Sequence, residues 1–600
     1  MPDYKTPIRD MVFVRNELLD FPALWQRLPG CEEASEDLAG AIYEAVGKFC
    51  EEELAPLWRS GDEEGCTWSE SGVETPSGFK EAYAEYVEGG WPSLTGPIEF
   101  GGQGLPPSLE SVLNEFVGSA NWAWSMYPFL TKGARLTVAA HGSDELKKTY
   151  LEKMISGQWT GTMCLTEAHC GTDLGMLRTK AEPNPDGSYS ITGTKIFISS
   201  GEHDMVDNIV HIVLARLPDA PPGTKGISLF VVPKRLPDAS GEAGEANGVS
   251  CGSIEHKMGI HGNATAVINF DEAQGFLLGE ENRGLNAMFT FMNVARIGTA
   301  IQGVVNAELA KQGAVRYARD RLQSRSATGV KNPDGPADAI IEHADVRRML
   351  LSTKAFAEGG RMLIHYLAYE VDISTLSEDA AEREAAENIL ALMTPIAKAF
   401  CTETGFESAS EGVQVFGGHG YIREWGMEQN MRDARISMLY EGTTGIQALD
   451  LLGRKVLGTQ GKMLEPLLKR ISDFCSENES NESVSSFVEV LREALVEWEA
   501  LTRSIGTRAM TNPDEVGAAS VDYMMFSGYI TLAYLWARAA VVAGQKLAEG
   551  GPDSNFYRAK VQTAEFYYAK ILPRTRGLVA TIGAGSESLM AMDEADFLIE

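Results

Sequence analysis

Three short stretches carry residue types that could do chemistry. Residues 164–175 read CLTEAHCGTDLG, with hydroxyls at Thr166 and Thr172 and a glycine at Gly171. Glycine lets a ligand approach the backbone closely, and threonine hydroxyls can donate to ring heteroatoms or phosphates. A tight turn between domains is the plainer alternative. Residues 414–433 read QVFGGHGYIREWGMEQNMRD. The double glycine after a long helical pattern looks like a helix C-cap, and His419 alone is more often a satisfied histidine than a ligand. Residues 440–447 read YEGTTGIQ. Thr443 or Thr444 suits a helix N-cap. The chemical alternative makes Glu441 a carboxylate base beside exposed backbone N–H at a helix start.

These stretches need elements to position them. Residues 1–35 read as a mixed leader and 36–158 as helices. Ile42, Val46, Phe49 and Leu54 fall at helical spacing. Within 159–280 the pattern changes, and SYSITGTKIFI at 188–198 alternates as a half-buried strand does. Further strands are expected at 209–215, 226–232 and 264–270. This predicts an antiparallel β-barrel or sandwich. Residues 281–460 return to long helices, with a kink expected at Pro395, and suggest a four-helix bundle. Residues 461–600, after a polar connection at 475–486, suggest an appended helical domain. The expected class is α+β, mainly helical.

Composition narrows the function. The chain has 600 residues, enough for three or more domains, with 52 Lys and Arg against 84 Asp and Glu. A formal charge of −32 repels nucleic acid and anionic membranes. The eight cysteines form no C-x-x-C and no zinc spacing, which reads as reduced thiols and no metal. Charges near the N-terminus interrupt any signal-peptide core, so a cytoplasmic location is expected. The apolar run at 523–537 is too short for a bilayer and reads as a buried helix. Neither a phosphate-binding G-x-x-x-x-G-K-[ST] nor H-E-x-x-H is present.

In their order and spacing, the three stretches resemble the signatures of the acyl-CoA dehydrogenase family: C-[LIVM]-[ST]-E-x-x-x-G-[ST]-D, Q-x-x-G-G-x-G-[FY]-x-x-E and Y-E-G-T. Helices, sheet, then helices is also that family's order. The resemblance implies FAD as cofactor and α,β-desaturation of an acyl-CoA thioester. It implies Glu441 as the base, whose backbone N–H would join a flavin hydroxyl in holding the thioester oxygen. Leu165, Thr166, Gly171 and Thr172 match the flavin loop, with Thr172 also near CoA. Phe197 and Ser199 match an aromatic and a hydroxyl packed on the isoalloxazine. Arg296 matches a CoA contact, and Gly442 a substrate contact. Arg321 and Gln323 match contacts to a neighbouring subunit's FAD, and Gln414, Gly417 and Gly418 match the adenine end. Thr443 matches a further FAD contact. A homodimer or larger assembly follows, with electron-transfer flavoprotein as the usual acceptor.

Departures occur at Cys170, His261, Ser324, Gln429 and Gly445. The leader and the extra C-terminal residues resemble the family's long subgroup, which includes 3-(methylthio)propionyl-CoA dehydrogenase and enzymes of ordinary fatty acyl-CoA. An acyl-CoA oxidase is the rival within the class. A DNA-binding flavoprotein relative would need a basic C-terminal patch, and residues 461–600 show no concentrated Lys/Arg run. A relative with a dead site is disfavoured by the intact Glu441, Gly442 and Thr443.

Overall fold

Residues 4–598 are described by a computed structural model; the first three residues of the leader and the last two of the chain lie outside it. The chain forms two compact units. One comprises Asp37–Gly298 with a short N-terminal piece, and the other joins Pro7–Glu36 to the residues from Thr299 onward.

In the first unit, helices Leu109–Ala120, Trp122–His141 and Asp144–Ile155 precede the sheet. Asn121 and Ser143 accept the first free N–H groups of the latter two, from Trp124 at 3.1 Å and Leu146 at 3.3 Å. The sheet has seven strands: Thr160–Cys164, Lys180–Pro183, Tyr189–Ser199, Ile209–Ala215, Ser228–Pro233, Val249–Ile254 and Thr265–Leu277. Ile209–Ala215 is buried throughout. Val210, Ile212 and Leu214 share a core with the helices, including Val138, Leu151 and Phe291. Val213 and Ala215 join Ile191, Ile198, Phe230 and Ile268 in a second core. Apolar cover on both faces makes the strand, His211 apart, an apolar run rather than an alternating one.

Two expectations about the sheet are corrected. It is not wholly antiparallel, because Thr160–Cys164 pairs with Ile209–Ala215 in parallel. Nor does it close into a barrel: an isolated bridge between Lys180 and Arg216 stands where a closing ladder would be. The strand Val249–Ile254 escapes the sequence pattern because it is half exposed, and its Ser, Cys and Gly residues give no apolar alternation.

The second unit is helical. Its long helices are the C-terminal part of Gly284–Asp320, Ala344–Leu376, Ala380–Phe416, Ser485–Ala509 and Asp514–Glu549. Ala380–Phe416 runs through Pro395. Proline has no N–H for the carbonyl four residues back, and Lys455 Nζ donates to that carbonyl, at Ala391. The apolar run at 523–537 lies inside Asp514–Glu549, and 78% of that helix's most apolar window is buried. It is a core helix, with Gly528 against the Phe400 ring and Trp536 Nε1 donating to the Ala355 carbonyl at 3.3 Å.

A buried charge network ties Asp10 to helices Gly284–Asp320, Ala344–Leu376 and Ser554–Phe566. Arg361, fully enclosed, pairs with Asp10 and, at 3.0 Å, with Glu308. Lys560, 1% exposed, pairs with Asp10 and, at 2.7 Å, with Glu358. Lys311 joins Glu308 at 2.8 Å, and Lys354 joins Glu358. Burial alone would raise the Glu308 carboxyl, but Lys311 and Arg361 outweigh it and hold it at about 2. Removing one member of such a network strands a buried charge, which costs about 3–5 kcal/mol. Lys560→Met is therefore expected to lower the denaturant midpoint clearly. Lys469→Met, which breaks the exposed pair with Asp473, should change stability by less than about 0.5 kcal/mol. Equal midpoints for the two variants would refute the role given to the network.

Candidate functional site

The expected site residues fall into two sets, one in each unit. Leu165, Thr166, Gly171, Thr172, Phe197 and Ser199 gather at one end of the sheet, where a loop leaves strand Thr160–Cys164. The organiser is an ion pair that the motif reading did not assign. Lys195, enclosed completely, donates from Nζ to the Leu165 carbonyl at 3.0 Å and to Glu167 Oε1 at 2.9 Å. Glu167 also accepts from the Arg178 N–H at 2.7 Å, and from the Thr179 N–H at 3.0 Å and hydroxyl at 2.6 Å. Burial raises this carboxyl, yet Lys195 and Thr179 outweigh it and bring it down to about 2. Ile196 N–H bonds the Thr166 carbonyl at 2.9 Å, pinning the loop to strand Tyr189–Ser199.

That strand is bulged beside the loop. Ala266 pairs with Ile198 and Ile268 with Lys195, so two residues oppose one. Phe197 occupies the bulge at φ 59° and is 59% exposed. A bulge re-aims a side chain, and an aromatic residue rarely adopts positive φ without a packing or functional reason. Gly171 has only the Thr166 methyl near its missing Cβ, at 3.5 Å. Cys170 turns into the helix-facing core. Glu167, His169 and Cys170 lie within 4.8 Å of one another, but Lys195 already supplies the positive charge there. Arg296 is on the Gly284–Asp320 helix, nearly buried, with its guanidinium 6.0 Å from the Phe289 ring.

In the other unit, Arg321, Gln323, Gln414, Gly417 and Gly418 are gathered by Tyr317. Its ring stacks on Phe416 at 4.1 Å, and its hydroxyl lies 2.9 Å from His419 Nδ1. Its carbonyl accepts from Arg321 N–H at 2.9 Å. His419 stacks on Trp425 at 4.5 Å and so has structural partners. Gly417 has φ 59°, and no atom lies within 4 Å of where a Cβ would stand on Gly417 or Gly418. Asp338 shapes the chain after Gln323, accepting N–H bonds from Ser326, Lys331 and Asn332 at 2.7–2.9 Å.

Glu441, Gly442 and Thr443 lie on a loop before helix Thr444–Leu449, and Thr443 Oγ1 accepts from Ile446 N–H at 3.2 Å. Thr443 is therefore the N-cap, and Glu441 stands two residues before it. Glu441 has φ 57° and Gly442 φ 87°. The positive φ favours glycine at 442, and a Cβ there would also stand 2.5 Å from Gln447 Nε2, so that side chain would have to shift. Tyr440 donates its hydroxyl to Gln302 Oε1.

In one unit a loop rich in hydroxyls and an outward aromatic ring, and in the other a pair of open glycines, are each of a kind that suits part of a flavin nucleotide. A half-buried glutamate held at strained φ fits a general base. Comparison with known proteins agrees. The N-terminal, middle and C-terminal domains of acyl-CoA dehydrogenase match residues 37–158, 162–273 and 282–457, and the acetyl-CoA dehydrogenase C-terminal-like domain matches 467–593. The chain is 42% identical over 570 residues to the 3-methylmercaptopropionyl-CoA dehydrogenase of Ruegeria pomeroyi, covering 95% of this chain and 96% of the relative. It is 33% identical to the broad-specificity linear acyl-CoA dehydrogenase FadE5 of Mycobacterium tuberculosis over the whole of both chains. The solved structure of Caenorhabditis elegans ACDH-11 in complex with C11-CoA superposes with a TM-score of 0.80 at 19% identity, covering 99% of this chain and 96% of that one, which shows the shared fold. The chain belongs to the acyl-CoA dehydrogenase family. It is an oxidoreductase of acyl-CoA thioesters, with FAD as its cofactor.

Lys195→Met should strand the buried Glu167 charge, at a cost of about 3–5 kcal/mol, and loosen the loop. Flavin release on heating, followed by fluorescence, should occur at a clearly lower temperature than in the parent. The Glu167 carboxyl is depressed, so its stabilisation is complete above about pH 4.3. It is lost as pH falls towards about 2. Parent flavin retention should weaken across that window, and an unchanged release temperature in the variant would contradict the role of the pair.

Proposed function

We propose that the enzyme desaturates acyl-CoA thioesters between Cα and Cβ, with Glu441 removing the α-proton. Carbon beside a thioester is a weak acid, so the base must be held in place and the developing enolate oxygen must meet oriented donors. The Glu441 N–H is assigned as one such donor. Bound FAD supplies the acceptor for the β-hydrogen, which leaves with its electron pair. Leu165, Thr166, Gly171, Thr172, Phe197 and Ser199 would hold the flavin and its pyrophosphate, with Thr443 beside the ring. Gln414, Gly417 and Gly418 would take the adenine end. Arg321 and Gln323 would reach FAD in a second copy of the chain, which makes a homodimer or larger assembly part of the proposal. Thr172, Arg296 and Gly442 would bind acyl-CoA.

The observation that carries this reading is the Glu441 backbone, a non-glycine residue kept at φ 57° on a loop tied down from both sides. For the substrate, the Ruegeria relative supports 3-(methylthio)propionyl-CoA, giving the 2-enoyl-CoA. The FadE5 relative and the butyryl-CoA dehydrogenases of Syntrophomonas wolfei, 33% and 32% identical to this chain, support ordinary acyl chains as a second reading. Electron-transfer flavoprotein is the proposed acceptor, supported by the likeness in fold to a chain in the solved structure of the electron transferring flavoprotein of Acidaminococcus fermentans. A cytoplasmic location is proposed from the scattered, unpaired cysteines.

Glu441→Gln should retain FAD and bind acyl-CoA, but lose turnover by about 10²–10⁴-fold or more with an artificial electron acceptor. Turnover near that of the parent would overturn the assignment. Among 3-(methylthio)propionyl-, butyryl-, octanoyl- and palmitoyl-CoA, the first should give the highest kcat/KM. A preference for palmitoyl-CoA would reject that substrate, and stoichiometric peroxide would favour an oxidase.

A further inference from the structure

We infer that Lys398 and Gln447 are positioning residues for the base, a two-point clamp on the peptides that follow Glu441. The inference rests on Glu441 being that base. Lys398, on helix Ala380–Phe416, has no exposed surface. Its Nζ donates to the Ser437 carbonyl and to the Gly442 carbonyl, each at 2.8 Å. One ammonium thus closes the loop at both ends. Gln447, equally buried, donates from Nε2 to the Glu441 carbonyl at 2.9 Å. The two carbonyls after the base therefore point at fixed donors, one from each side chain.

The clamp answers a specific problem. Left-handed backbone is disfavoured for residues with a Cβ, and Glu441 and Gly442 adopt it consecutively. Without the donors, the loop gains by relaxing to negative φ at Glu441, and the carboxylate swings away. The platform extends to Glu403, one turn beyond Lys398 on the same helix, whose Oε1 accepts from the Thr444 hydroxyl at 2.6 Å. Loop and following helix are thus fixed to one rigid element.

Gln447 also shows that the clamp is not simply packing. Its Oε1 is buried and has no hydrogen-bond partner among the described residues. A buried acceptor without a partner costs stability. Methionine has a similar length, removes that acceptor and takes the donor from the Glu441 carbonyl, two effects of opposite sign, so Gln447→Met should change global stability little. What it removes is the hold on the Glu441 carbonyl. A structural residue and a positioning residue then give opposite signatures at this position.

The test uses the FAD-loaded enzyme with butyryl-CoA and an artificial acceptor, and compares Gln447→Met, Lys398→Met and Glu441→Gln. Gln447→Met should keep its melting temperature, FAD content and KM, and lose about 10–100-fold in kcat, the scale of a displacement of about 1 Å. Its isotope effect with α-deuterated butyryl-CoA should rise, because proton removal becomes harder, while a merely structural defect would leave that ratio unchanged. Lys398→Met should show the same split with a larger loss. If Lys398→Met yields no folded enzyme, Gln447→Met decides alone. A Gln447→Met enzyme with kcat within threefold of the parent, or one whose kcat falls only in step with melting temperature or FAD content, overturns the clamp. Normal turnover by Glu441→Gln would instead overturn the base itself, so the two failures are separable.

Discussion

A glutamate with left-handed backbone does not stay there unaided. Its Cβ crowds the neighbouring carbonyl, and the ordinary helical and extended regions lie lower in energy by roughly 1–2 kcal/mol. At Glu441 the surrounding structure supplies the difference. Gly442 continues the same hand at little cost because it has no Cβ. Lys398 reaches the carbonyl of Gly442, and Gln447 that of Glu441. The helix Ala380–Phe416 must pass close beneath the loop for this to work, and the charge network around Arg361 and Lys560 belongs to the same unit. Chemistry at one carboxylate therefore depends on how well a long helical unit is packed.

The sheet solves a similar problem with different parts. Its loop at 164–175 must offer backbone and hydroxyl groups outward, so the loop cannot satisfy itself with them. Lys195 and Glu167 take over the inner bonding, and both are buried to do it. The bulge then turns Phe197 outward on the neighbouring strand. Each unit has a buried lysine that fixes a loop carrying residues of the motifs.

Much of this was legible in the sequence, because the signals were local. Strand Tyr189–Ser199 shows alternation, helix Ala380–Phe416 shows helical spacing, and the three motifs carry their own residue types. The family assignment followed from those motifs together. The organisers stayed hidden because they act across the chain. Lys398 contacts a carbonyl 44 positions away, and Lys195 a carboxylate 28 positions away. A lysine in an apolar helix or an alternating strand gives no hint of its acceptors. The bulge at Phe197 was equally silent, since it depends on register against Thr265–Leu277. The parallel pairing of Thr160–Cys164 was missed because pairing direction leaves no mark on a five-residue strand.

The claim that organises the whole account is that Glu441 removes a proton from the carbon next to the thioester. A 3-thia-acyl-CoA tests it directly, because sulfur at the β-position blocks oxidation and leaves only proton removal to observe. In deuterium oxide, the parent enzyme should exchange the α-hydrogens of this ligand, as followed by proton NMR, and Glu441→Gln with full FAD content should not. Exchange continuing at the parental rate in that variant would contradict the account.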